Sequence, residues 1–198
     1  MLKAMLTAGA LALGLTAAAG AAEIRSSVDA ATLDKEKATP LGLYLTPRDA
    51  HAALTADPAI VFVDVRDPIE VAFVGHPQGM DANIPVKIAT HDFDAKKGSY
   101  AMKDNASFVA EVERLMAREG RGKADPVFVM CRSGGRAADA AKLLAAEGFT
   151  NVWNLVEGFE GDMDKPTGQR SVNGWRNAGL PWSYKLDASA AWQPPAAN

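Results

Sequence analysis

The sequence contains a single cysteine, Cys131, among its 198 residues. No internal disulfide can therefore form, and no CxxC pair is present for dithiol redox chemistry. The chain also lacks the GxxxxGK[ST] loop and the GxGxxG fingerprint, two glycine patterns that hold nucleotide phosphates. These absences argue against disulfide-built scaffolds, dithiol oxidoreductases and nucleotide enzymes that rely on those loops. We expect no bound cofactor.

The sequence also has a small net charge and few long hydrophobic runs. The formal net charge is -3, and no cluster of lysine or arginine marks a surface for nucleic acid or for anionic lipid. Beyond the N terminus, no apolar stretch approaches the roughly 20 residues that a membrane-spanning helix needs. We therefore expect no nucleic-acid partner, and no stable membrane span once the leader described next is removed.

The first 22 residues have the pattern of a secretory signal peptide. Lys3 supplies a basic start, an apolar run follows to about Ala18, and small residues at 19–22 suit a signal peptidase. A membrane anchor or a buried helix is the alternative, but the run is short for a span and no stop-transfer pattern follows. The sequence thus predicts an exported, periplasmic-type protein in which an unpaired thiol is reactive or bridges to another molecule.

Three apolar stretches are typical of buried strands. Residues 59–65 ("AIVFVDV") and 126–130 ("PVFVM") are mostly apolar and rich in valine, without alternation, as expected when both faces of a strand are covered. A third strand is predicted in "NVWNL", residues 151–155. Parallel sheets of α/β proteins have strands of this kind.

Helix signals stand between these strands. Thr46 and Asp67 each precede a proline and are natural N-caps, and Glu70 completes a capping box with Asp67. Residues 105–120 place apolar side chains on one helical stripe, and residues 136–148 form an alanine- and leucine-faced helix. The alternation predicts an α/β fold with a parallel sheet and helices on both faces.

The remaining segments set the predicted domain limits. A polar lead-in covers residues 23–40, one domain covers 41–186, and a C-terminal tail covers 187–198. Residues 90–104 are charged without a clear period, so we interpret them as a surface insertion. The end of the chain, "AAWQPPAAN", is expected to be loose.

The cysteine lies in the loop "CRSGGR", between a predicted strand and a predicted helix. Gly134 and Gly135 can turn the backbone so that successive N–H groups point inward and make an anion-binding nest. The start of the helix, Arg132 and Arg136 add positive charge, which favours the thiolate form of Cys131. A nucleophilic thiolate in an anion cradle is typical of a transferase or a hydrolase. The alternative is a cysteine that only ends a buried strand as a small hydrophobe.

At this point the sequence resembles a known family, the rhodanese or thiosulfate sulfurtransferase superfamily in its single-domain form. The resemblance covers residues 45–182 and rests on "DVRDPIE", "GHPQGMDANIP", "VMCRSGGRAADAAKLLAAEGFTNVWNLVEGFEG" and "NGWRNAGLPW". It implies a five-stranded parallel sheet flanked by helices.

The resemblance also implies roles for the residues of the loop. Cys131 would take sulfane sulfur as a persulfide from a small anionic donor, thiosulfate or a persulfide, and pass it to a thiol or a cyanide-like acceptor. Arg132 and Arg136 would hold the donor. The cysteine sulfur would be stabilised by the N–H groups of Ser133, Gly134 and Gly135.

Two other functions stay open. A non-catalytic rhodanese-like domain could bind a periplasmic partner protein. Phosphatases and arsenate reductases of related fold carry one residue more between the cysteine and the arginine, whereas Cys131 to Arg136 spans six residues here. The sequence departs from the family pattern in the loop from residue 75, in residues 90–104 and in residues 160–171, which could determine the acceptor or contact a partner.

Further residues could support the site. We expect Arg66 and Glu70 to pair one helical turn apart, Asp64 to hold backbone near the loop, and His76 to bond a loop carbonyl. The three histidines lack the spacing of metal ligands, so we predict no metal site. Two more candidates could face the pocket without any pattern that places them there, namely Glu157 and Arg170.

Overall fold

The structure is a computed structural model that describes residues 23–194. The predicted signal peptide lies outside the described residues, as do the last four residues of the predicted tail. The described chain forms one α/β unit, as the alternation of strands and helices predicted.

Its secondary structure consists of short strands and four α-helices. The strands β1–β9 are Tyr44–Leu45, Val61–Asp64, His76–Pro77, Ala82–Asn83, Lys87–Asp94, Ser99–Asp104, Val127–Met130, Val152–Leu155 and Trp182–Ser183. The helices α1–α4 are Pro47–Ala56, Pro68–Val74, Phe108–Arg118 and Gly135–Ala146, and two 3-10 turns are Ala30–Thr32 and Lys35–Lys37. No helix among residues 23–194 combines the length and the apolar character needed to cross a membrane.

The central sheet has five strands in the order β1-β8-β7-β2-β4. Every neighbouring pair in it is parallel, so the predicted five-stranded parallel sheet is confirmed. β7 lies in the middle of this order, with β2 on one side and β8 on the other. Loops that follow these three strands therefore meet at one edge of the sheet.

Alternate side chains of the central strands enter two separate cores, because successive residues of a strand point to opposite faces. Val63 and Val129 pack with the stripe of α3 and the alanine face of α4. Phe62 and Phe128 pack on the other face, against α1 and α2. The predicted helices on both faces are thus confirmed.

The apolar stripe that the sequence predicts for α3 is part of the hydrophobic core. Phe108, Val112, Leu115 and Met116 are each at most 4% exposed. Burying a side chain of this size contributes about 1.5–3 kcal/mol. The predicted helix starts at Thr46 and Asp67 are also confirmed, because both N-caps form capping boxes in the structure.

The segment 90–104 lies on the surface, as predicted, and is part of a regular hairpin that the sequence did not indicate. β5 and β6 pair in an antiparallel hairpin that stands outside the main sheet. Phe93 and Tyr100 are 62% exposed and face each other edge to face across it. Neither face of the hairpin is buried, so no alternation of polar and apolar residues marks it in the sequence.

Both ends of the described chain are attached to the domain. In the lead-in, Lys37 is buried and its ammonium lies 2.9 Å from a carboxylate oxygen of Asp162. Near the other end, the carbonyl of Ala190 accepts the N–H of Asn83 at 2.7 Å, and the Trp192 indole donates to Glu111 at 3.0 Å. The prediction of a loose C-terminal segment is therefore wrong for residues 190–192.

Trp192→Phe should destabilise the protein by about 1–2 kcal/mol, because a buried carboxylate loses a hydrogen-bond donor. Glu111 is only 8% exposed, so water cannot fully replace the indole. Chemical denaturation measures the change, and Trp153→Phe is the control, since that indole donates to the neutral side chain of Asn151. Equal, negligible losses in both variants would contradict an anchored C-terminal segment.

Candidate active site

The loop 131–134 connects β7 to α4 at the edge where the central strands end. Cys131 is the first residue after β7 and is 1% exposed. α4 begins at Gly135 and runs for 12 residues, so its positive N-terminal end faces the loop. The predicted position of the cysteine, at the carboxyl end of a buried strand and before a helix, is confirmed.

One backbone donor contacts the sulfur. The N–H of Gly134 lies 3.2 Å from Sγ of Cys131, and an N–H donor in this position stabilises negative charge on sulfur. Gly134 has φ +98, and a Cβ there would lie 2.3 Å from the carbonyl oxygen of Val156. Only glycine fits, because both the backbone conformation and the space exclude a side chain. Ser133 is in the same loop, as predicted from the sequence, whereas Gly135 is the first residue of α4.

A second loop, residues 156–161 after β8, supports the cysteine loop, and we call it the support loop. Its Phe159 N–H donates to the carbonyl of Cys131 at 2.8 Å, and the N–H groups of Glu160 and Gly161 donate to the carbonyl of Arg132 at 3.0 and 3.1 Å. A Cβ on Gly158 would lie 2.5 Å from the Cys131 carbonyl oxygen. The glycine therefore permits this close approach. Sequence analysis missed this role, although a glycine soon after a predicted strand is a usable signal.

A buried ion pair lies at the end of β2. The Arg66 guanidinium binds the Asp64 carboxylate through Nε and Nη2, with the shortest distance 2.6 Å, and both side chains are fully buried. Nη2 also donates to the carbonyl of Gly75 at 2.8 Å, and the guanidinium lies 4.3 Å from the ring centre of Phe159. Burial alone would lower the pKa of Arg66, but the Asp64 charge and hydrogen bonds raise it. The Asp64–Arg66 pair therefore packs against Phe159 of the support loop.

The predicted pairing of Arg66 with Glu70 is wrong. Glu70 instead forms two hydrogen bonds with Arg136 of α4, at 2.5 and 2.7 Å. The rule for neighbours four residues apart applies inside a helix. Arg66 precedes the N-cap Asp67 and so lies outside α2, where its side chain turns back to Asp64.

The Glu70–Arg136 pair is partly buried and links α2 to α4. Burial alone would raise the pKa of Glu70, yet the hydrogen bonds and charge of Arg136 hold it below its usual value. In the same way, burial would lower the pKa of Arg136, and Glu70 raises it. Two parallel hydrogen bonds between a guanidinium and a carboxylate are among the stronger polar contacts in proteins.

The two arginines of the cysteine loop consequently differ. Both terminal nitrogens of Arg136 are occupied by Glu70. Arg132 is exposed, and among residues 23–194 its guanidinium forms no hydrogen bond and no ion pair. Arg132 therefore has the side chain that can meet an incoming anion, whereas Arg136 holds the helix in place.

The other candidates separate into supporting and remote residues. Nδ1 of His76 lies 3.0 Å from the carbonyl of Pro77, which is the next residue of β3 and not the loop carbonyl that was predicted. Glu157 accepts the N–H of Gly174 at 3.1 Å, and Arg170 donates to the carbonyl of Gly161 in the support loop at 2.6 Å. Arg170 is thus brought to the site by a contact that no sequence pattern indicated.

Comparison with known proteins agrees with this geometry. The sequence pattern described as the Rhodanese-like domain matches residues 46–165. The crystal structure of Rv0390 from M. tuberculosis is similar, with a TM-score of 0.55 and 32% sequence identity, over 72% of this chain and 97% of that chain.

Two curated relatives illustrate the range of similarity. Thiosulfate sulfurtransferase 16, chloroplastic, of Arabidopsis thaliana is 32% identical over 98 residues, which are 50% of this chain and 69% of that protein. An uncharacterized protein of Rickettsia prowazekii, RP600, is 39% identical over 59 residues, 29% of this chain. The match spans only 42% of that Rickettsia relative's length.

Gly158→Ala should destabilise the protein more than Gly79→Ala. Both glycines have positive φ, +64 and +83, but only at Gly158 would a Cβ meet backbone atoms within 4 Å. Gly79→Ala measures the left-handed conformation alone, about 1–2 kcal/mol. Denaturant unfolding of both variants isolates the cost of the contact. Equal losses would show that the support loop does not need its close approach to the cysteine loop.

Glu70→Gln should lower stability at pH 7 and converge with the parent protein in acid. The folded-state pKa of Glu70 lies below the ordinary 4.5, so its stabilisation is complete above that value and is lost as the pH falls through the lowered pKa. We expect a loss of about 1–3 kcal/mol at pH 7.

Denaturant unfolding between pH 3 and pH 7 gives this profile. Glu113→Gln is the matched control, because Glu113 pairs with Lys123 on the surface, where an ion pair contributes little. A pH-independent effect of Glu70→Gln would contradict a stabilising charge at this position.

Proposed function

Because the chain belongs to the family of rhodanese-like domains, we propose that it is a sulfurtransferase that carries sulfane sulfur as a persulfide on Cys131. The observation that carries the proposal is the position of Sγ. It lies at the start of α4, within 3.2 Å of the Gly134 N–H, where a thiolate and then a persulfide anion would be stabilised. The sulfurtransferase among the relatives supports this class of reaction.

In the first half-reaction, the Cys131 thiolate attacks the outer sulfur of a donor such as thiosulfate. A new S–S bond forms to Cys131, and the S–S bond of the donor breaks. Sulfite leaves with the bonding electron pair, so the total charge of −3 is conserved. The helix end and the loop N–H groups stabilise the terminal sulfur of the persulfide in the way that an oxyanion hole stabilises oxygen.

In the second half-reaction, a nucleophilic acceptor removes the terminal sulfur. A thiolate attacks it and becomes a persulfide, or cyanide attacks it and becomes thiocyanate. In both cases the S–S bond to Cys131 breaks and its electron pair returns to the cysteine, which regenerates the thiolate. Covalent catalysis of this kind divides one transfer into two steps.

Each remaining residue has a distinct proposed role. Arg132 attracts the anionic donor, since its charge has no partner in the described chain. Arg136 keeps α4 and its N terminus in place through Glu70. The Asp64–Arg66 pair holds the support loop through Phe159. Arg66 also donates to the carbonyl of Gly75, the residue before His76, and this bond links the pair to the segment after α2.

We further propose that this reaction takes place outside the cytoplasm. The N-terminal leader pattern of residues 1–22 supports export. A periplasmic partner protein could then supply or receive sulfur. The six-residue span from Cys131 to Arg136 favours sulfur over phosphate or arsenate as the group that is handled.

Intact-protein mass spectrometry tests the proposal directly. After thiosulfate treatment of the reduced protein, we expect a gain of one sulfur atom, and no gain in Cys131→Ser. Cyanide should then remove the sulfur and release thiocyanate. An aryl phosphate and arsenate serve as the controls for the related anion chemistries and should not turn over.

A failure to gain sulfur would contradict the proposal. If neither thiosulfate nor polysulfide adds sulfur to protein whose thiol is shown to be reduced, the transferase proposal fails. A non-catalytic domain that binds a partner protein then becomes the better description.

A further inference from the structure

A cavity of about 240 Å³ lies between the edge strand of the central sheet, α3 and the C-terminal segment. β4 supplies one wall, one face of α3 supplies the second, and residues 189 and 191–193 supply the third. None of the lining residues belongs to the cysteine loop or to the support loop. The family pattern ends at residue 165, so the third wall lies outside the part of the chain that the pattern matches.

Two buried oxygens of residues that line this cavity have no hydrogen-bond donor. Oε2 of Glu111 accepts the Trp192 indole at 3.0 Å and the side chain of Asn105 at 3.2 Å, whereas Oε1 has no partner among residues 23–194. The side-chain nitrogen of Asn83 donates to two backbone carbonyls at 2.9 and 2.8 Å, and its Oδ1 is also without a partner. Buried polar atoms are nearly always hydrogen-bonded, so these oxygens favour a ligand that donates hydrogen bonds.

Positive charge lies on the same face of α3. Arg114 and Arg118 follow Glu111 by three and seven residues, so the three side chains share one helical face. Both arginines are exposed, and both line the cavity. Among residues 23–194, Arg114 forms no ion pair, and Arg118 pairs with its neighbour Glu119. The cavity therefore has hydrogen-bond acceptors at the start of α3 and guanidinium groups further along it.

The spacing of these groups sets the length of a ligand that meets both. An α-helix rises 1.5 Å per residue, so along the axis Arg114 lies about 4.5 Å and Arg118 about 10.5 Å from Glu111. An extended dipeptide spans about 7 Å, between these two values, whereas a single amino acid spans only about 3.5 Å. Apolar side chains line the cavity as well, among them Ile84 and Leu115.

We propose that this cavity binds a dipeptide with free termini and apolar side chains. Its ammonium group donates to Glu111 and Asn83, and its carboxylate accepts from Arg114 and Arg118. Because Oε1 of Glu111 is buried, the C-terminal wall moves when the ammonium group reaches it, and the indole of Trp192 reports this movement. The site is independent of the sulfur transfer proposed at Cys131.

Calorimetry with alanyl-leucine tests the two ends of the site. N-acetyl-alanyl-leucine lacks the ammonium group and alanyl-leucine amide lacks the carboxylate, so each should bind about tenfold or more weakly than the parent dipeptide. Free leucine should lose a similar factor, because it cannot reach both ends. No binding of alanyl-leucine at about 1 mM, or equal affinity for all four compounds, would overturn the proposal.

Arg114→Gln removes the arginine that has no ion pair, and it should weaken alanyl-leucine binding about tenfold. Arg121→Gln is the matched control, because Arg121 follows α3, carries the same charge and does not line the cavity. Alanyl-leucine amide should bind to Arg114→Gln and to the parent protein equally, since it has no carboxylate to lose a partner. Equal losses of dipeptide affinity in the two variants would refute the carboxylate end of the site.

Glu111→Gln tests the buried end. The amide keeps an oxygen for the Trp192 indole and places an NH₂ group where the ammonium would bind. Affinity for alanyl-leucine should fall about tenfold or more, while that for N-acetyl-alanyl-leucine should change less than about threefold. Denaturant unfolding verifies that the variant is folded, and equal changes for both compounds would refute the ammonium end.

Tryptophan fluorescence locates the bound dipeptide. Alanyl-leucine should change the emission of the parent protein, and this change should be absent in Trp192→Phe. A change that persists in Trp192→Phe would place the dipeptide elsewhere and overturn the proposal. Sulfur loading of Cys131 from thiosulfate should be the same in Arg114→Gln and in the parent protein, so the peptide site and the transferase are judged by separate measurements.

Discussion

Everything in the site depends on how two carbonyl groups are held. The carbonyls of Cys131 and Arg132 accept N–H groups from the support loop at 2.8–3.1 Å, and this contact fixes the cysteine loop from below. The opposite side of the loop is then available to direct an N–H group at the sulfur. Gly158 and Gly134 make the contact possible, because a Cβ on either would displace backbone atoms of the neighbouring loop. The chemistry at Cys131 is therefore a property of two adjacent loops.

Charge is distributed around this arrangement with a clear division of labour. The Asp64–Arg66 and Glu70–Arg136 pairs are internally balanced and partly or fully buried, so each fixes a structural element without attracting a ligand. Removing one partner of such a pair costs much more than the pair contributes net. Arg132 and Arg170 form no ion pair among residues 23–194. The arginines near the cysteine loop are thus of two kinds, those held in buried ion pairs and those without an ion pair in the described chain.

Most of the fold could be predicted from local patterns in the sequence. The buried strands follow from continuous apolar runs, and the capping boxes at Thr46 and Asp67 and the stripe of α3 follow from spacings of 3 or 4 residues; each of these patterns lies within a single segment. The position of Cys131 before a helix followed from the same patterns. The pairing of Glu70 with Arg136 did not, because the partners are 66 residues apart and the nearer Arg66 satisfied the local rule. The anchored Trp192 and the position of Arg170 were equally beyond reach, since a hydrogen bond to a distant carboxylate or carbonyl has no period in the sequence.

The ion pair between Lys37 and Asp162 has a consequence for anyone who trims the chain. The family pattern begins at residue 46 and ends at residue 165, and those limits look like natural places to cut. A fragment with these ends would lose Lys37 and leave the Asp162 carboxylate uncompensated beside the support loop. It would also lose Arg170, whose guanidinium donates to the Gly161 carbonyl of the support loop. Such a fragment would keep Cys131 but lack two charged side chains that contact the support loop or the segment that follows it, so the electrostatic field at the cysteine loop would differ from that of the whole chain.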